Sequence, residues 1–201
     1  MTPVQKRIHS AALQLFAEKG VGIITVSELA GTAGVARGTI YNNLNSVESL
    51  FEDVACQLSA EMNQRVVNST DPQLDPALRL ANGIRFYIRR AHEEPQWGSF
   101  ITRYASSTKS LQELWSGPPI HDVLSGMAQS RYTFAKEQLT SVMSLIGGAV
   151  LAAMLLVLEG HKTWRDAGSE TAELLLRALG IAPDEAHRIA NLELPPLAPA
   201  A

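Results

Sequence analysis

Apolar residues recur at intervals of three and four along most of the chain, which is the spacing of one helix face. The first stripe, Ile8, Ala12, Leu15 and Phe16, lies between the start signal Thr2-Pro3 and the stop signal Gly20. Similar signals predict further helices after Thr25, around 36–44, after Ser46, after Asp75, from Pro95, around 111–115, after Gly117, and over 138–158, 169–179 and 183–191. No segment alternates with the period of a strand, so the sequence predicts an all-α fold.

The first 46 residues carry the signals of a helix-turn-helix. Thr25 and Glu28 have the spacing of a capping box, in which each side chain binds the other residue's backbone amide. Gly34 permits a sharp turn, and helical spacing resumes through Ile40 and Leu44. We therefore predict a three-helix N-terminal module over 1–46, a larger helical domain over 47–193, and a Pro-rich flexible tail over 194–201.

Residues 138–158 form an uncharged stretch of nearly the length that spans a bilayer. Polar residues in its first half, and the absence of flanking basic or aromatic belts, favour a buried helix instead of a membrane span. Such a helix would pack its own subunit with one face and a second subunit with the other. Gly147 and Gly148 would allow close backbone approach, so the stretch predicts a homodimer.

Composition limits the remaining possibilities. With 46% hydrophobic and 18% charged residues, the chain has the composition of a folded protein, and its net charge of −3 gives no general basic field for nucleic acid. The single cysteine, Cys56, and the charged N-terminal segment indicate a cytoplasmic protein. The five histidines lack metal-ligand spacing, and the sequence has no phosphate loop and no nucleophile elbow. We therefore expect the protein to bind no metal and no cofactor and to have no enzymatic activity.

Three stretches of the N-terminal quarter, residues 25–30, 34–41 and 48–51, resemble the DNA-binding signature of TetR-type transcriptional regulators. The rest of the chain resembles that family in helix order and in the patterns at 147–149, 159–160 and 174–180. The resemblance implies a ligand-responsive repressor that binds a palindromic double-stranded DNA operator as a homodimer and is released by a small-molecule effector.

Candidate DNA contacts lie on the third predicted helix. Hydrogen-bond donors and a flat aromatic suit phosphates and base edges in a major groove, and this helix offers Arg37, Thr39, Tyr41, Asn42 and Asn43. The resemblance adds that Thr25 and Tyr41 contact phosphates, and that Arg37, Gly38, Thr39 and Asn42 lie against bases or backbone. The alternative is that Tyr41 and Thr39 pack the helix pair and that Thr25 is only a cap.

Two departures from the family pattern weaken DNA binding. Val47 stands where the family usually has a lysine, and Leu44 where it often has an aromatic residue. Through Asp53 the chain has four basic and five acidic residues, which is unlike a typical DNA-binding patch. An alternative function is therefore an all-α ligand-binding or interaction dimer that has lost sequence-specific DNA binding.

The family binds its ligands among the helices that follow the DNA-binding module. Aromatic and methionine side chains suit an apolar pocket, and the candidates in these helices are Phe86, Tyr87, Trp97, Phe100, Tyr104, Trp115, Met127 and Met143. The alternative for each of them is ordinary core packing. Four arginines, Arg85, Arg89, Arg90 and Arg103, would suit an acidic ligand unless they are simply solvated.

Overall fold

Local capping signals determine where most of the helices begin. The computed structural model describes residues 1–44 and 46–199. Thr2 Oγ accepts a hydrogen bond from Gln5 N, and Gln5 Oε1 accepts one from Thr2 N. Five helices begin with proline. Proline is well suited to the first position, because backbone N–H groups in the first turn of a helix have no hydrogen-bond partner within the helix. The helices of the described residues are α1 (Pro3–Lys19), α2 (Val26–Ala33), α3 (Arg37–Asn43), α4 (Val47–Ser69), α5 (Pro76–Glu93), α6 (Pro95–Tyr104), α7 (Lys109–Ser116), α8 (Pro118–Ala128), α9 (Leu139–Leu158), α10 (Trp164–Ala178) and α11 (Pro183–Ala190).

The described residues contain no strand, which confirms the all-α prediction. The main difference is α10, which begins at Trp164, five residues before the predicted start at Ser169. Thr163 Oγ1 accepts a hydrogen bond from Asp166 N at 3.1 Å and so caps this earlier turn. The other predicted helices agree with the structure to within a few residues.

Helices α1, α2 and α3 form the N-terminal unit around Ile8, Phe16, Leu29 and Ile40, all of which are buried. Gly34 ends α2 in the left-handed region, with φ of 61°, and this conformation turns the chain sharply toward α3. The predicted helix, tight turn and second helix are therefore present.

Helix α5 lies at the centre of the second unit, packed against α6, α8, α9 and α10. Helix α4 connects the two units, because it packs against α1 at one end and against α7 along its length. The buried apolar side chains of both units form one continuous core. Helix α1 also packs against α6, so the N-terminal unit contacts the second unit through both α4 and α6.

Helix α9 has one buried and one open face. Val142, Ile146, Val150 and Met154 are buried, and Gly147 lies against the indole of Trp115. The opposite side, which we call the open face, consists of Leu145, Gly148, Ala152, Leu155 and Leu156. The segment Lys136–Leu158 is long and apolar enough to cross a membrane by length and composition, but one of its faces already packs in the helical core.

The C-terminal tail lies along α4, in contrast to the flexible tail that we predicted for 194–201. Ala198 N donates to Ser69 Oγ at 2.7 Å, and Arg65 Nε donates to Ala198 O at 2.8 Å. Leu194 and Leu197 pack partly buried against the core. These contacts position residues 194–199, whereas Ala200 and Ala201 lie outside the described residues.

Candidate nucleic-acid interface and sensor cavity

One face of α3 is exposed and carries four of the predicted DNA contacts. Arg37, Gly38, Tyr41 and Asn42 all point away from the core, while Ile40 anchors the helix from the other side. Tyr41 is 69% exposed, which is unusual for a large aromatic side chain without a partner. The alternative that Tyr41 packs the helix pair does not agree with this exposure.

Gly38 has no role in internal packing. A Cβ atom built at Gly38 meets no other atom within 4 Å. Since glycine weakens a helix, this position gains nothing within the chain from lacking a side chain.

Thr39 and Asn43 lie on the flank of α3 and are half-buried. Asn43 Nδ2 donates to Thr39 O at 2.8 Å, and Asn43 also lines a cleft with Met1, Gln5 and His9. In the described conformation both residues therefore lie apart from the exposed face that Arg37 and Tyr41 share.

Thr25 is an exposed cap of α2, as the sequence predicted. Its Oγ1 accepts from Glu28 N at 3.2 Å, while Glu28 Oε2 accepts from Thr25 N at 2.9 Å. Hydrogen bonds from Lys19 and from Thr25 lower the pKa of Glu28 to about 2. The capping role of Thr25 is established by this geometry, and its Oγ1 also donates to Glu28 Oε2 at 2.8 Å, so both donors of Thr25 are engaged within the chain.

Arg7 was missed in the sequence and positions the turn before α3. Its NH2 donates to Gly34 O at 2.5 Å, across 27 residues of chain. The bond ties α1 to the turn of the helix-turn-helix and so fixes the direction of α3. No local signal in the sequence marks this residue, because its partner is a backbone carbonyl on another helix.

An aromatic cluster joins the N-terminal unit to the second unit. Phe16 of α1, Phe51 of α4, and Phe100 and Tyr104 of α6 have ring centroids 5.0–6.3 Å apart. Tyr104 OH donates to Phe16 O at 3.1 Å, and Arg103 NH1 donates to Ala17 O at 3.0 Å. We call Phe16, Phe51, Phe100 and Tyr104 the aromatic joint.

Four charged side chains connect α4 to α5 and its C-terminal end. Arg90, which is almost fully buried, binds Glu61 at 2.5 Å and Glu94 at 2.9 Å, and Arg65 binds Glu94 at 2.9 Å. Arg90 also lies 4.5 Å above the ring centre of Trp97. Burial alone would raise the pKa of Glu94, but hydrogen bonds from Arg90 and Arg65 hold it below its usual range. The two arginines and the two glutamates therefore satisfy one another's hydrogen bonds.

A small apolar cavity lies between α4, α5, α7, α8 and α9, and we call it the sensor cavity. Its volume is about 20 Å³, and it is lined by Val66, Leu80, Gly83, Ile84, Tyr87, Trp115, Pro118, Pro119, Asp122, Ile146 and Val150. Asp122 is its only charged lining residue and binds Arg79 Nε at 2.6 Å. A larger outer cleft, of about 250 Å³, shares Val66, Pro118 and Asp122 with it.

Two of the eight predicted ligand residues, Tyr87 and Trp115, line the sensor cavity. Phe100 and Tyr104 belong to the aromatic joint, and Trp97 packs against Tyr87 and Arg90. Phe86 is fully buried outside the cavity lining. Met127 and Met143 are partly buried against the core. The structure thus gives these six residues places in the core, because tertiary packing decides which apolar side chains reach a cavity.

The four arginines proposed for an acidic ligand do not converge on one site. Arg90 is held in the ion network and Arg103 binds α1. Arg85 NH1 donates to Leu192 O at 2.8 Å, and Arg89 binds Glu93 at 2.7 Å.

Across residues 1–44 and 46–199, no three His, Cys, Asp or Glu side chains are grouped so as to hold a metal ion.

Comparison with known proteins gives the family. Residues 8–54 match the model of bacterial regulatory proteins of the tetR family, and residues 75–192 match the tetracyclin repressor-like C-terminal domain. Among curated relatives, the uncharacterized HTH-type transcriptional regulator YvkB of Bacillus subtilis is 38% identical over 60 residues, 30% of this chain. The HTH-type transcriptional repressor DhaR of Mycobacterium sp. strain GP1 is 30% identical over 83 residues, 40% of this chain. These matches span 32% and 41% of the two relatives.

A solved structure extends the likeness over nearly the whole chain. RolR, in complex with the ligand resorcinol, is 25% identical with a TM-score of 0.75, and the match covers 97% of this chain and 96% of that one. Together the two family models take in the exposed α3 face, residues 47–54 of α4, and all of α5, α7, α8 and α9. The chain belongs to the tetR family of bacterial regulatory proteins.

Proposed function

We propose that this protein is a transcriptional repressor that binds a palindromic operator as a homodimer and leaves it when a small molecule occupies the sensor cavity. The observation that carries the proposal is the exposed α3 face of Arg37, Gly38, Tyr41 and Asn42. Cation, amide, phenol and bare backbone on one side of a helix suit insertion into a major groove.

The α3 face supplies both kinds of DNA contact. Arg37 and Asn42 have donors for base edges, and Tyr41 has a hydroxyl for a phosphate. Gly38 lets the helix backbone approach the groove, which explains a glycine that internal packing does not require. Thr25 and Asn43 are second contacts that would join when the module adjusts to DNA.

The open face of α9 is the proposed dimer contact. Leu145, Leu155 and Leu156 are exposed there around the small residues Gly148 and Ala152, and no charge interrupts the face. Exposed apolar patches of this kind mark association sites. A two-fold dimer uses the same face on each subunit, so both halves of the contact are already present in one chain. The two recognition helices would then meet half-sites about 34–36 Å apart.

The route from sensor cavity to DNA runs through α4. Val66 of α4 lines the cavity, Glu61 and Arg65 link α4 to α5, and Phe51 belongs to the aromatic joint. A ligand that moves α4 therefore moves α1 and, with it, the turn held by Arg7. A tenfold loss of DNA affinity needs only about 1.4 kcal/mol of coupling. RolR, which is similar to this chain, forms a complex with the ligand resorcinol, and this supports a small-molecule effector for this protein.

The cytoplasm is the proposed location, since genomic DNA is the proposed partner. The apolar segment Lys136–Leu158 is then a core and dimer helix and needs no membrane. Membership of a regulator family also supports a binding protein over an enzyme.

The test is to incubate purified protein with sheared genomic DNA at low salt, recover the bound fragments and sequence them. We expect one or a few palindromes to be enriched, and competition with random duplex should not remove them. Recovery of fragments without any shared sequence would contradict the proposal and favour a ligand-binding dimer that does not recognise an operator.

A further inference from the structure

Gly83 is a glycine in the middle of α5 that no neighbouring atom requires. A Cβ atom built there meets nothing within 4 Å. By contrast, a Cβ at Gly98 would meet Ala91 Cβ at 2.9 Å, and one at Gly126 would overlap the ring of Tyr132. Glycine weakens a helix interior relative to alanine, so Gly83 destabilises α5 although no neighbouring atom excludes a side chain at this position. The space that it leaves open lies in the sensor cavity.

Asp122 is the one charged residue that lines that apolar cavity, and it also lines the outer cleft. The residue is 9% exposed, and Arg79 Nε donates to its Oδ1 at 2.6 Å. Arg79 is itself held by Pro72 O and Leu74 O. Within the described part of the chain, no donor reaches Asp122 Oδ2. Burial raises the pKa of Asp122, although the guanidinium of Arg79 works against that rise. Asp122 lies at the boundary between the cavity and the outer cleft, and its Oδ2 is open to a donor from a ligand.

Flat aromatic and proline surfaces line the cavity beside Gly83. The rings of Tyr87 and Trp115 are stacked, with centroids 5.5 Å apart and an angle of 26° between their planes. Pro118 and Pro119 continue this wall. A planar ring makes more contact with such a wall than a flexible chain does, and stacking adds to apolar burial.

The cavity in this conformation is too small for a ring. A volume of about 20 Å³ has room for roughly one water molecule, whereas an engineered cavity that takes benzene measures about 150 Å³. Val66 of α4 and Pro118 of α8 lie at the boundary with the outer cleft. A ring therefore enters only when α4 and α8 separate, and it binds the separated state selectively, as a ligand that shifts a conformational equilibrium must.

We propose that the sensor cavity selects a compact, uncharged aromatic compound with a hydroxyl group. The ring occupies the space beside Gly83 against Tyr87 and Trp115, and the hydroxyl donates to the free oxygen of Asp122. Gly83 sets the size limit, and Asp122 rejects anions and compounds without a donor. This specificity rests on the proposed function only in taking the cavity as the effector site.

Three probes of similar size test the donor rule on the full chain. Phenol has the ring and the donor, toluene has the ring alone, and benzoate has the ring with a negative charge. Binding is followed by tryptophan fluorescence, since Trp115 lines the cavity. We expect phenol to bind at least about tenfold more tightly than toluene, because a hydrogen bond to a charged group is lost, and benzoate not to bind. Equal affinities for phenol and toluene, tighter binding of benzoate, or no binding of any probe would overturn the proposal.

Two variants test the size rule. Gly83→Leu should abolish phenol binding, because its side chain is larger than the cavity of about 20 Å³ and takes up the space beside α5. Gly83→Ala, a smaller change, should raise the melting temperature and weaken phenol binding in part. The matched control Gly31→Leu changes an equally open helix glycine in α2 and should bind phenol as the wild type does. Unchanged phenol binding in Gly83→Leu would overturn the role of Gly83.

The two proposals fail separately. Operator enrichment together with no discrimination among the probes would contradict this inference and leave the repressor function standing. Discrimination among the probes without operator enrichment would support the cavity specificity and contradict the repressor function.

Discussion

Replacing Leu155 by aspartate should split the proposed dimer. Leu155 is 43% exposed and lies toward the C-terminal end of the open face of α9, between Ala152 and Leu156. Full burial of a leucine is worth about 1.5–3 kcal/mol, so closing its exposed part contributes about 1 kcal/mol. In a two-fold dimer the residue occurs twice, and about 2 kcal/mol of apolar burial is lost.

The two carboxylates that this substitution introduces, one in each subunit, make the free energy of dimerisation still less favourable. Burying an unpaired charge costs several kcal/mol for each ion, so the total loss is at least about 6 kcal/mol. Every 1.4 kcal/mol is a factor of ten, which makes the change in dimer Kd more than about 10⁴-fold. A nanomolar dimer of the wild type would become a monomer at micromolar concentration.

Sedimentation velocity between 0.1 and 50 µM measures the change directly. The matched control is Val67→Asp, which places the same charge at an exposed apolar residue of α4, away from the open face. We expect Val67→Asp to sediment as the wild type and Leu155→Asp to sediment as a monomer with unchanged helical circular dichroism. A Leu155→Asp protein that keeps the wild-type dimer Kd would refute the assignment of this face.

Three further predictions concern the DNA-binding unit and the tail. Val47→Lys should tighten binding to operator and to random duplex alike and should steepen the salt dependence of the affinity by about one charge per subunit. Fluorescence-anisotropy titrations at several salt concentrations measure both effects, and an affinity equal to that of the wild type at low salt would contradict the prediction. Because the folded pKa of Glu28, about 2, lies below the ordinary 4.5, its ionisation stabilises the fold above pH 4.5 and this stability is lost as pH falls toward 2. Glu28→Gln should therefore reduce the acid dependence of urea unfolding in that range, and an unchanged dependence would refute the capping account. Deleting residues 194–201 should lower the free energy of unfolding by about 2 kcal/mol through lost leucine burial and hydrogen bonds, and a tail without a structural role would leave it unchanged.

Local signals made much of the fold predictable. The residues that start a helix act within one helical turn, so each signal can be recognised from adjacent positions in the sequence. Examples are Thr2 with Pro3, Thr25 with Glu28, and Asp75 with Pro76. The exposed side of α3 was predictable in the same way, because the helical spacing of Ile40 and Leu44 indicates which side of the helix faces the core. Even the missed start of α10 had a local signal, because Thr163 and Asp166 have capping spacing.

Long-range contacts set the rest. Tyr87 and Phe100 are both buried aromatics on helix faces, yet one lines the sensor cavity and the other belongs to the aromatic joint. Asp122 is an isolated carboxylate whose partner, Arg79, lies 43 residues away. The tail at Ala198 binds α4 through a backbone amide. None of these contacts leaves a periodic or adjacent pattern, so a single sequence does not predict them.

The most direct test of the central claim, that the exposed face of α3 recognises DNA, is an operator titration of the double variant Arg37→Ala with Tyr41→Ala. Both side chains are exposed and Ile40 still anchors α3, so folding and dimer mass should be unchanged by circular dichroism and sedimentation. We predict that operator binding by this variant falls to the level of random duplex. A variant dimer that binds the operator with wild-type affinity would contradict the account.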